Sequence, residues 1–470
     1  VRSLVLAGGG MRVAWQAGVV RALQEDGLVF DHVDGTSGGI LTAAMLCSGV
    51  DGVQMCRRWR DVDVQDFGSA LPFREYLTGP WNLPAVGDAD GLLQRVFPAL
   101  GIDVDAIRRS PLAGSFNVVD FATKESVAVD ARDVDAPLLA AGMSLPLFLT
   151  PLRRDGHVWT DAVWVRDANL TEALRRGADE VWLVWCIGDT PRWGDGPLEQ
   201  YVHMIEMSAA GGLASDLALA EAAGRSFVLH VVRPEHPLPL DPEFYLGRIS
   251  SDSLVQMGYR DARRYLAGRS RDGVPRTPAC TRMTEPPPSA RFVEHLRGPA
   301  RGVVEDRAAG ATTDGGLTSE DRAADDRTVS LDLTVVMPLD GPVDDADVAG
   351  ALTYAPWGER AYLADGHVTA DADALTYHAT VRVDGHDLTL TATRSLVDDP
   401  GFDAWSDLSR VDLEVRDPSG DVVLSAPLDL GASGVRRLVT SVEPVGVTGV
   451  FRRVDAVRRL LQRGASALHD

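Results

Sequence analysis

No apolar run in this sequence reaches the roughly 18 to 20 residues that a membrane-spanning helix needs, so no span is expected. The first strand-like run starts almost at residue 1. No basic region, apolar segment and cleavage site precede it, and a signal peptide is not expected. Cysteine is scarce. The four in 470 residues, Cys47, Cys56, Cys186 and Cys280, are too scattered for a disulfide scaffold or a zinc site, and the expected setting is the reducing cytoplasm. Cys47 and Cys186 sit among apolar residues and read as small core side chains. Positive charge is in deficit, with 46 basic against 68 acidic residues and a net charge of -22. Such a surface repels nucleic acid and anionic bilayers at long range, so nucleic acid is not an expected partner. Hydrophobic residues, at 45%, exclude wholesale disorder and supply enough for sizeable cores. The length suffices for two or three domains.

The first part of the chain repeats a strand, turn and helix order. The apolar run 3–7 enters Gly8-Gly9-Gly10, and 14–26 follows with helical periodicity, closed by Gly27. Phe30 to Val33 reads as the next strand, then Gly35-Thr36-Ser37-Gly38-Gly39, then a small, apolar helix. This order predicts an α/β sheet with covered faces. Residues 51–110, broken by Pro72, Pro80, Pro84 and Pro98, are a candidate lid or substrate-facing insertion. A hairpin is expected at 115–129, a strand at 156–165, continuous buried strands at 181–187 and 226–232, and a last helix at 251–267. The domain boundaries follow from composition: an α/β domain over 1–267, a linker rich in Pro, Gly, Ala, Arg and Asp over 268–327, and a β domain over 328–447 whose segments alternate at period two. An amphipathic helix is expected over 448–470.

Two glycine segments carry chemistry. A serine between a strand and a helix, as in Gly35-Thr36-Ser37-Gly38-Gly39, can sit on a tight elbow that presents its hydroxyl at the sheet edge. The free N–H groups of the following helix favour negative charge there. The competing reading is an ordinary glycine-rich turn. Gly8-Gly9-Gly10-Met11-Arg12 can form a concave nest of N–H groups, an oxyanion hole if it lies near Ser37. Nucleotide binding is the rival, but position 13 is Val, so G-x-G-x-x-G is not completed, and there is no Walker lysine. A serine nucleophile needs a base. His32, His157, His203, His230 and His236 fall in the α/β region, and none occupies a glycine-bounded loop late in it, where an α/β-hydrolase places its histidine. Asp161 is the alternative, in a strand region after a glycine turn and able to take the Ser37 proton directly if within reach.

Over about residues 3–267 these residues together resemble the patatin-like phospholipases. The family's opening G-G-G-x-R-G is similar to Gly8 through Arg12, its G-x-S-x-G to Gly35 through Gly39, and its aspartate segment to Ser144-Leu145-Pro146-Leu147-Phe148-Leu149-Thr150-Pro151, Gly156 and Trp159-Thr160-Asp161. Gly258-Tyr259-Arg260-Asp261-Ala262 also looks like a stretch of bacterial members. The resemblance implies a three-layer α/β sandwich with a mostly parallel central sheet. It also implies a Ser37–Asp161 dyad without histidine, and an oxyanion hole from Gly8, Gly9, Gly10 and Arg12. It implies hydrolysis of lipid acyl esters through an acyl-serine, with no metal or organic cofactor. Two departures stand out: Val13 where the family has glycine after its arginine, and Ala162-Val163 after the aspartate in place of Gly-Gly or Gly-Ala. Side chains there are expected to reshape the oxyanion loop and narrow the site.

The C-terminal half lies outside this resemblance. It reads as a sandwich-like β domain, and residues 396–416 faintly resemble a segment of accessory modules in some bacterial sterol oxidases. The rival readings for the whole chain are a catalytically silent lipid-binding or scaffold protein on the same fold, and a binding module whose glycine nest holds a phosphate or carboxylate. Transient membrane-surface contact is a further expectation. In the C-terminal helix Phe451, Val454, Val457, Leu460 and Leu461 form an apolar stripe, flanked by Arg452, Arg453, Arg458, Arg459 and Arg463. The alternative is that this stripe packs on its own domain. Sequence leaves the oligomeric state open.

Overall fold

The computed structural model describes residues 1–67, 69–71, 85–301, 327–371, 373–396, 409–447 and 454–460. The chain divides into two units, Val1–Glu285 and Pro286–Asp470.

The first unit is built on an eight-stranded mixed sheet. Its strands are β1 (Arg2–Leu6), β2 (His32–Thr36), β3 (Ala113–Asp120), β4 (Glu125–Asp130), β5 (Leu152–Arg154), β6 (His157–Asp161), β7 (Glu180–Val184) and β8 (Val228–Val232). The spatial order is β8-β7-β1-β2-β3-β6-β5, with β4 also pairing β3. Strands β8, β7, β1, β2 and β3 run parallel, and β4, β5 and β6 pair antiparallel. The expected mostly parallel sheet is present. Its parallel strands are buried on both faces. Val5, Leu183, Trp185, Leu229 and Val231 share a core with the helices Leu170–Arg175 and Pro197–Ala222, whereas Leu4 and Leu6, on the opposite face, are equally buried.

Two register facts place the site. β2 lies beside the first half of β3, ending with Thr36 opposite Asn117. β6 lies beside the second half, with Asp161 opposite Val118. β4 pairs along the other edge of β3 over Ser115–Asp120. The end of β2 and the end of β6 therefore meet on one edge of the same strand, and Ser37 and Asp161 are neighbours although 124 residues separate them. Two helices also approach unusually closely, α1 (Ala14–Glu25) and α2 (Ser251–Gly268). A methyl on Gly258 would lie 1.9 Å from the Trp15 carbonyl oxygen, so glycine is what permits the crossing.

The expected lid region is in part ordinary scaffold. Residues Gly52–Asp61 form a helix that buries Met55, Cys56 and Trp59, and Asp51 caps it by accepting from the Gln54 amide at 2.8 Å. Residues 68 and 72–84 of that region lie outside the described residues.

The boundary expected at 267 falls short of the first unit's edge. Residues 268–285 are built into it: the Val274 amide donates to Leu229 O at 2.7 Å, Thr281 Oγ1 to Asp189 Oδ2 at 2.9 Å, and the Met283 amide to Asp189 O at 3.0 Å. Further along, Ser289–Pro299, expected as linker, is a strand that pairs over its whole length with Thr328–Pro338. Proline and arginine content suggested a linker, but Ala290, Phe292 and Leu296 alternate inward and are buried. Residues 302–326 lie outside the described residues.

The second unit is all-β apart from short helices, as expected, but it is one sheet closed on itself and not two stacked sheets. Successive antiparallel strands run from Ser289–Pro299 through Thr328–Pro338, Asp347–Tyr354, Ala361–Ala370, Ala374–Val383, His386–Ser395, Arg410–Arg416 and Val422–Asp429. The last pairs back onto the first at Arg297 opposite Asp429, and Glu443–Val445 adds to the same edge. Closure removes the free sheet edges. In the C-terminal helix, Ala456 is buried in this unit's core, and Val457 and Leu460 pack against it. The stripe expected to face lipid is thus partly spent on the helix's own domain. Val454 is exposed. Phe451, Arg452, Arg453, Leu461 and Arg463 lie outside the described residues, as do 397–408 of the segment resembling sterol-oxidase modules.

Candidate active site

Ser37 directly follows β2 and precedes the helix Gly39–Cys47. Its φ of 52° is left-handed, a strained backbone for a residue with a side chain. The turn is held tight because the helix starts hard against the sheet: a methyl on Gly39 would lie 2.2 Å from the Leu6 carbonyl oxygen. Ser37 Oγ donates to Asp161 Oδ2 at 2.6 Å. The other carboxylate oxygen, Oδ1, accepts the Val163 amide at 2.8 Å. Burial pushes the Asp161 carboxyl up to about 7, against the opposing effects of the Ser37 and Val163 hydrogen bonds. Apolar surroundings have raised the proton affinity of a carboxylate that is aimed at a serine hydroxyl.

The glycine loop arrives beside this pair. The carbonyl of Gly10 and the side chain of Val13 lie against Gly38, which has no room for a methyl. Gly8 is wedged next to Ser37. The expected oxyanion donors then separate. The Gly8 amide is already engaged, donating to Asp167 Oδ1 at 2.9 Å. Arg12 is buried and stitches the loop down, with Nε donating to Gly9 O at 3.0 Å and a terminal nitrogen to Ile187 O at 2.9 Å. Among the described residues the Gly9 and Gly10 amides donate to no protein acceptor.

The two sequence departures are absorbed by the scaffold. Val13 has helical dihedrals, φ -65° and ψ -14°, so glycine is not required there. Its side chain is buried against Gly38 and Gly9. Val163 joins the core behind the site. Neither Ala162 nor Val163 has a positive φ.

The histidines are otherwise employed. His32 bonds Ser3 and Ser115 inside the core, and burial lowers it to about 4. His157 pairs with Asp120, His203 with Glu206, and His230 stacks on Trp182. None of the five hydrogen bonds to Ser37 or Asp161.

Sequence reasoning missed a polar frame behind the elbow. Asn117 Nδ2 donates to Asp34 Oδ1 at 2.7 Å, Thr36 Oγ1 at 3.0 Å and Gly35 O at 3.1 Å. Asn169, the N-cap of the helix at 170–175, donates back to Asn117 Oδ1 at 2.7 Å. Asp34 also accepts from Ser115 Oγ, and burial pushes Asp34 up to about 7. The signal was available as polar residues in otherwise apolar strands, but only the register of β2 on β3 brings them together.

Residues 4–174 match the sequence profile of the family described as patatin-like phospholipase. These residues form a patatin-like phospholipase domain. Among curated proteins, the chain is 24% identical over 292 residues to lysophospholipase NTE1 of Phaeosphaeria nodorum, covering 58% of this chain and 18% of that protein. It is 24% identical over 290 residues to lysophospholipase nte1 of Aspergillus niger, covering 57% and 18%. The chain thus spans less than a fifth of the length of these curated relatives. Among solved structures, VipD from Legionella pneumophila aligns with a TM-score of 0.29 and 14% identity, over 57% of this chain and 66% of that one. The patatin-like domain includes the elbow, the glycine loop and Asp161. No helix among the described residues is long and apolar enough to cross a membrane.

Proposed function

We propose that the patatin-like domain hydrolyses carboxylic esters of lipids through an acyl-serine, with Ser37 as nucleophile and Asp161 as base. The observation that carries this reading is the 2.6 Å hydrogen bond from a serine hydroxyl, on a left-handed elbow, to a buried carboxylate. As Ser37 Oγ attacks the ester carbonyl, its proton passes to Asp161 Oδ2. The Gly9 and Gly10 amides are the candidate donors to the oxyanion, with Gly8 and Arg12 holding their loop in place. Collapse of the tetrahedral intermediate expels the alcohol, which takes the proton from Asp161. Water then attacks the acyl-serine, giving up its proton to Asp161; the Ser37 Oγ–acyl bond breaks, Ser37 Oγ takes that proton back from Asp161, and the fatty acid leaves. Each step uses protein groups and water alone.

A lipid substrate is supported by what surrounds the pair. Leu147, Phe148, Met204 and Met207 are exposed on the segments that hold the Tyr201 ring, which contacts Phe148 at 5.5 Å and Trp164 at 5.7 Å. Tyr201 is close enough to Asp161 to feel its charge. The names of the curated relatives support lysophospholipids as a first substrate to try. We extend the proposal to transient contact with lipid surfaces through this exposed rim by a protein working in the cytoplasm.

The test is hydrolysis of short-chain nitrophenyl esters and of a lysophospholipid by the full chain, alongside fluorophosphonate labelling. Ser37→Ala is expected to lower kcat by several orders of magnitude and to abolish labelling while leaving the melting temperature close to wild type. Substantial turnover in that variant would overturn the assignment.

A further inference from the structure

Asp167 lies six residues beyond Asp161, in the turn that leads into the helix at 170–175, and it is 1% exposed. One carboxyl oxygen accepts the Gly8 amide at 2.9 Å. The other, Oδ2, is buried without a hydrogen-bond partner. A methyl placed on Gly8 would lie 2.5 Å from Asp167 Oδ1, 2.7 Å from Ser37 Cβ and 3.3 Å from Ser37 Oγ. Gly8 is therefore pressed between the Asp167 carboxyl and the nucleophile, and the site contains two buried acids, not one.

We infer that Asp167 is a positioning residue of this site, which pins Gly8 beside Ser37 and through its charge governs how readily Asp161 takes the serine proton. The inference rests on the acyl-transfer reading above. The groups facing Asp167 are few. Asp161 repels its charged form and Arg12 attracts it. The Cys186 thiol donates to Gly8 O at 3.0 Å and is kept neutral by burial, which pushes it up to about 12. Arg12 is committed to two backbone carbonyls. Burial pushes Asp167 up to about 7, the same region as Asp161, so the two protonations compete. With Asp167 ionised, Asp161 holds a proton more strongly. With Asp167 neutral, Asp161 loses its proton at lower pH and becomes the weaker base. The proton of neutral Asp167 sits on Oδ2, because Oδ1 accepts from Gly8.

The test compares wild type, Asp167→Asn and Asp167→Ala in the full chain, with aspartate carboxyls labelled with carbon-13 and Asp161→Asn used to identify the Asp161 signal. In Asp167→Asn, which keeps an acceptor for Gly8 and removes the charge, the Asp161 titration midpoint is expected to fall by about half a unit to one unit. The acid limb of kcat/KM is expected to move with it. Asp167→Ala is expected to lower kcat by roughly tenfold beyond the asparagine variant, because Gly8 loses its anchor. An unmoved Asp161 midpoint in an asparagine variant that melts like wild type would overturn the inference. Absence of serine-dependent hydrolysis in wild type would instead sink the acyl-transfer reading, and the titration would still decide the coupling.

Discussion

In the proposed reaction Asp161 serves as a base only when ionised, and burial pushes its carboxyl up to about 7. The fraction of competent enzyme should therefore rise with pH through the neutral range. The expected profile of kcat/KM climbs to a plateau above about pH 8, where an ordinary aspartate would have finished titrating near pH 5. A profile already flat at pH 5 would mean that another group takes the proton. The same burial has a consequence for stability. Asp34, Asp161 and Asp167 all have folded-state proton affinities raised to about 7. The native state thus holds more protons than the unfolded chain between roughly pH 4 and 7, and these groups make the fold less stable as pH rises through that window. His32, lowered to about 4, acts oppositely, because the unfolded chain protonates it first on acidification. Asp34→Asn removes one of the three raised carboxyls. Its melting temperature should fall less than wild type's between pH 5 and 8, and a variant with the wild-type slope would show that Asp34 is already ionised in the folded protein throughout that range.

At the scale of elements, the elbow works because β3 reaches beyond the end of β2 and serves two partners in turn. Asn117 occupies the changeover, opposite Thr36 and one residue before the position facing Asp161. Its side-chain amide secures Gly35, Thr36 and Asp34 at once. Asn117→Ala would strand those acceptors in a dry interior, a loss of about 2–4 kcal/mol, and is expected to lower kcat through misplacement of Ser37. Chemical denaturation and turnover measured on one preparation check both effects. The helix crossing at Gly258 invites a second substitution. Gly258→Ala would drive a methyl into the Trp15 carbonyl and force apart α1 and α2, costing about 1–3 kcal/mol or more. These elements also show what was legible beforehand. Ser37, Asp161 and the glycine loop were readable as candidates from residue type, local spacing and the family resemblance. Asp167 and Asn117 were not, because their roles depend on pairing between distant segments. The departures at Val13 and Ala162-Val163 suggested a narrowed site from sequence; Val163 turns into the core, and Val13 is buried against Gly9 and Gly38 with helical dihedrals. Side-chain direction is decided by the surrounding packing and not by the motif.

The division of the whole molecule shows why composition misplaced a boundary. Residues 268–299 are rich in proline and arginine, which favours a linker reading, and few of them are large and apolar. Their backbone is nevertheless committed. Up to Glu285 they complete the patatin-like unit, and from Ser289 they supply a strand of the barrel. Gly273, with φ 70°, brings the chain so close to β8 that a methyl on it would lie 2.2 Å from the Leu229 carbonyl oxygen. Val274 then bonds that carbonyl, and Thr281 and Met283 close on Asp189. The segment Gly188-Asp189 follows Ile187, whose carbonyl holds Arg12. Removing 268–285 therefore exposes the loop that supports the glycine nest. We predict that a chain ending at Glu285 folds and keeps the esterase activity of its domain, whereas one ending at Ala267 melts at lower temperature and loses activity disproportionately. The two chains differ by eighteen residues that include neither Ser37 nor Asp161. Equal melting temperatures and equal kcat/KM would place the functional boundary at 267 after all, and failure of the longer chain to fold would show that the first unit depends on the second.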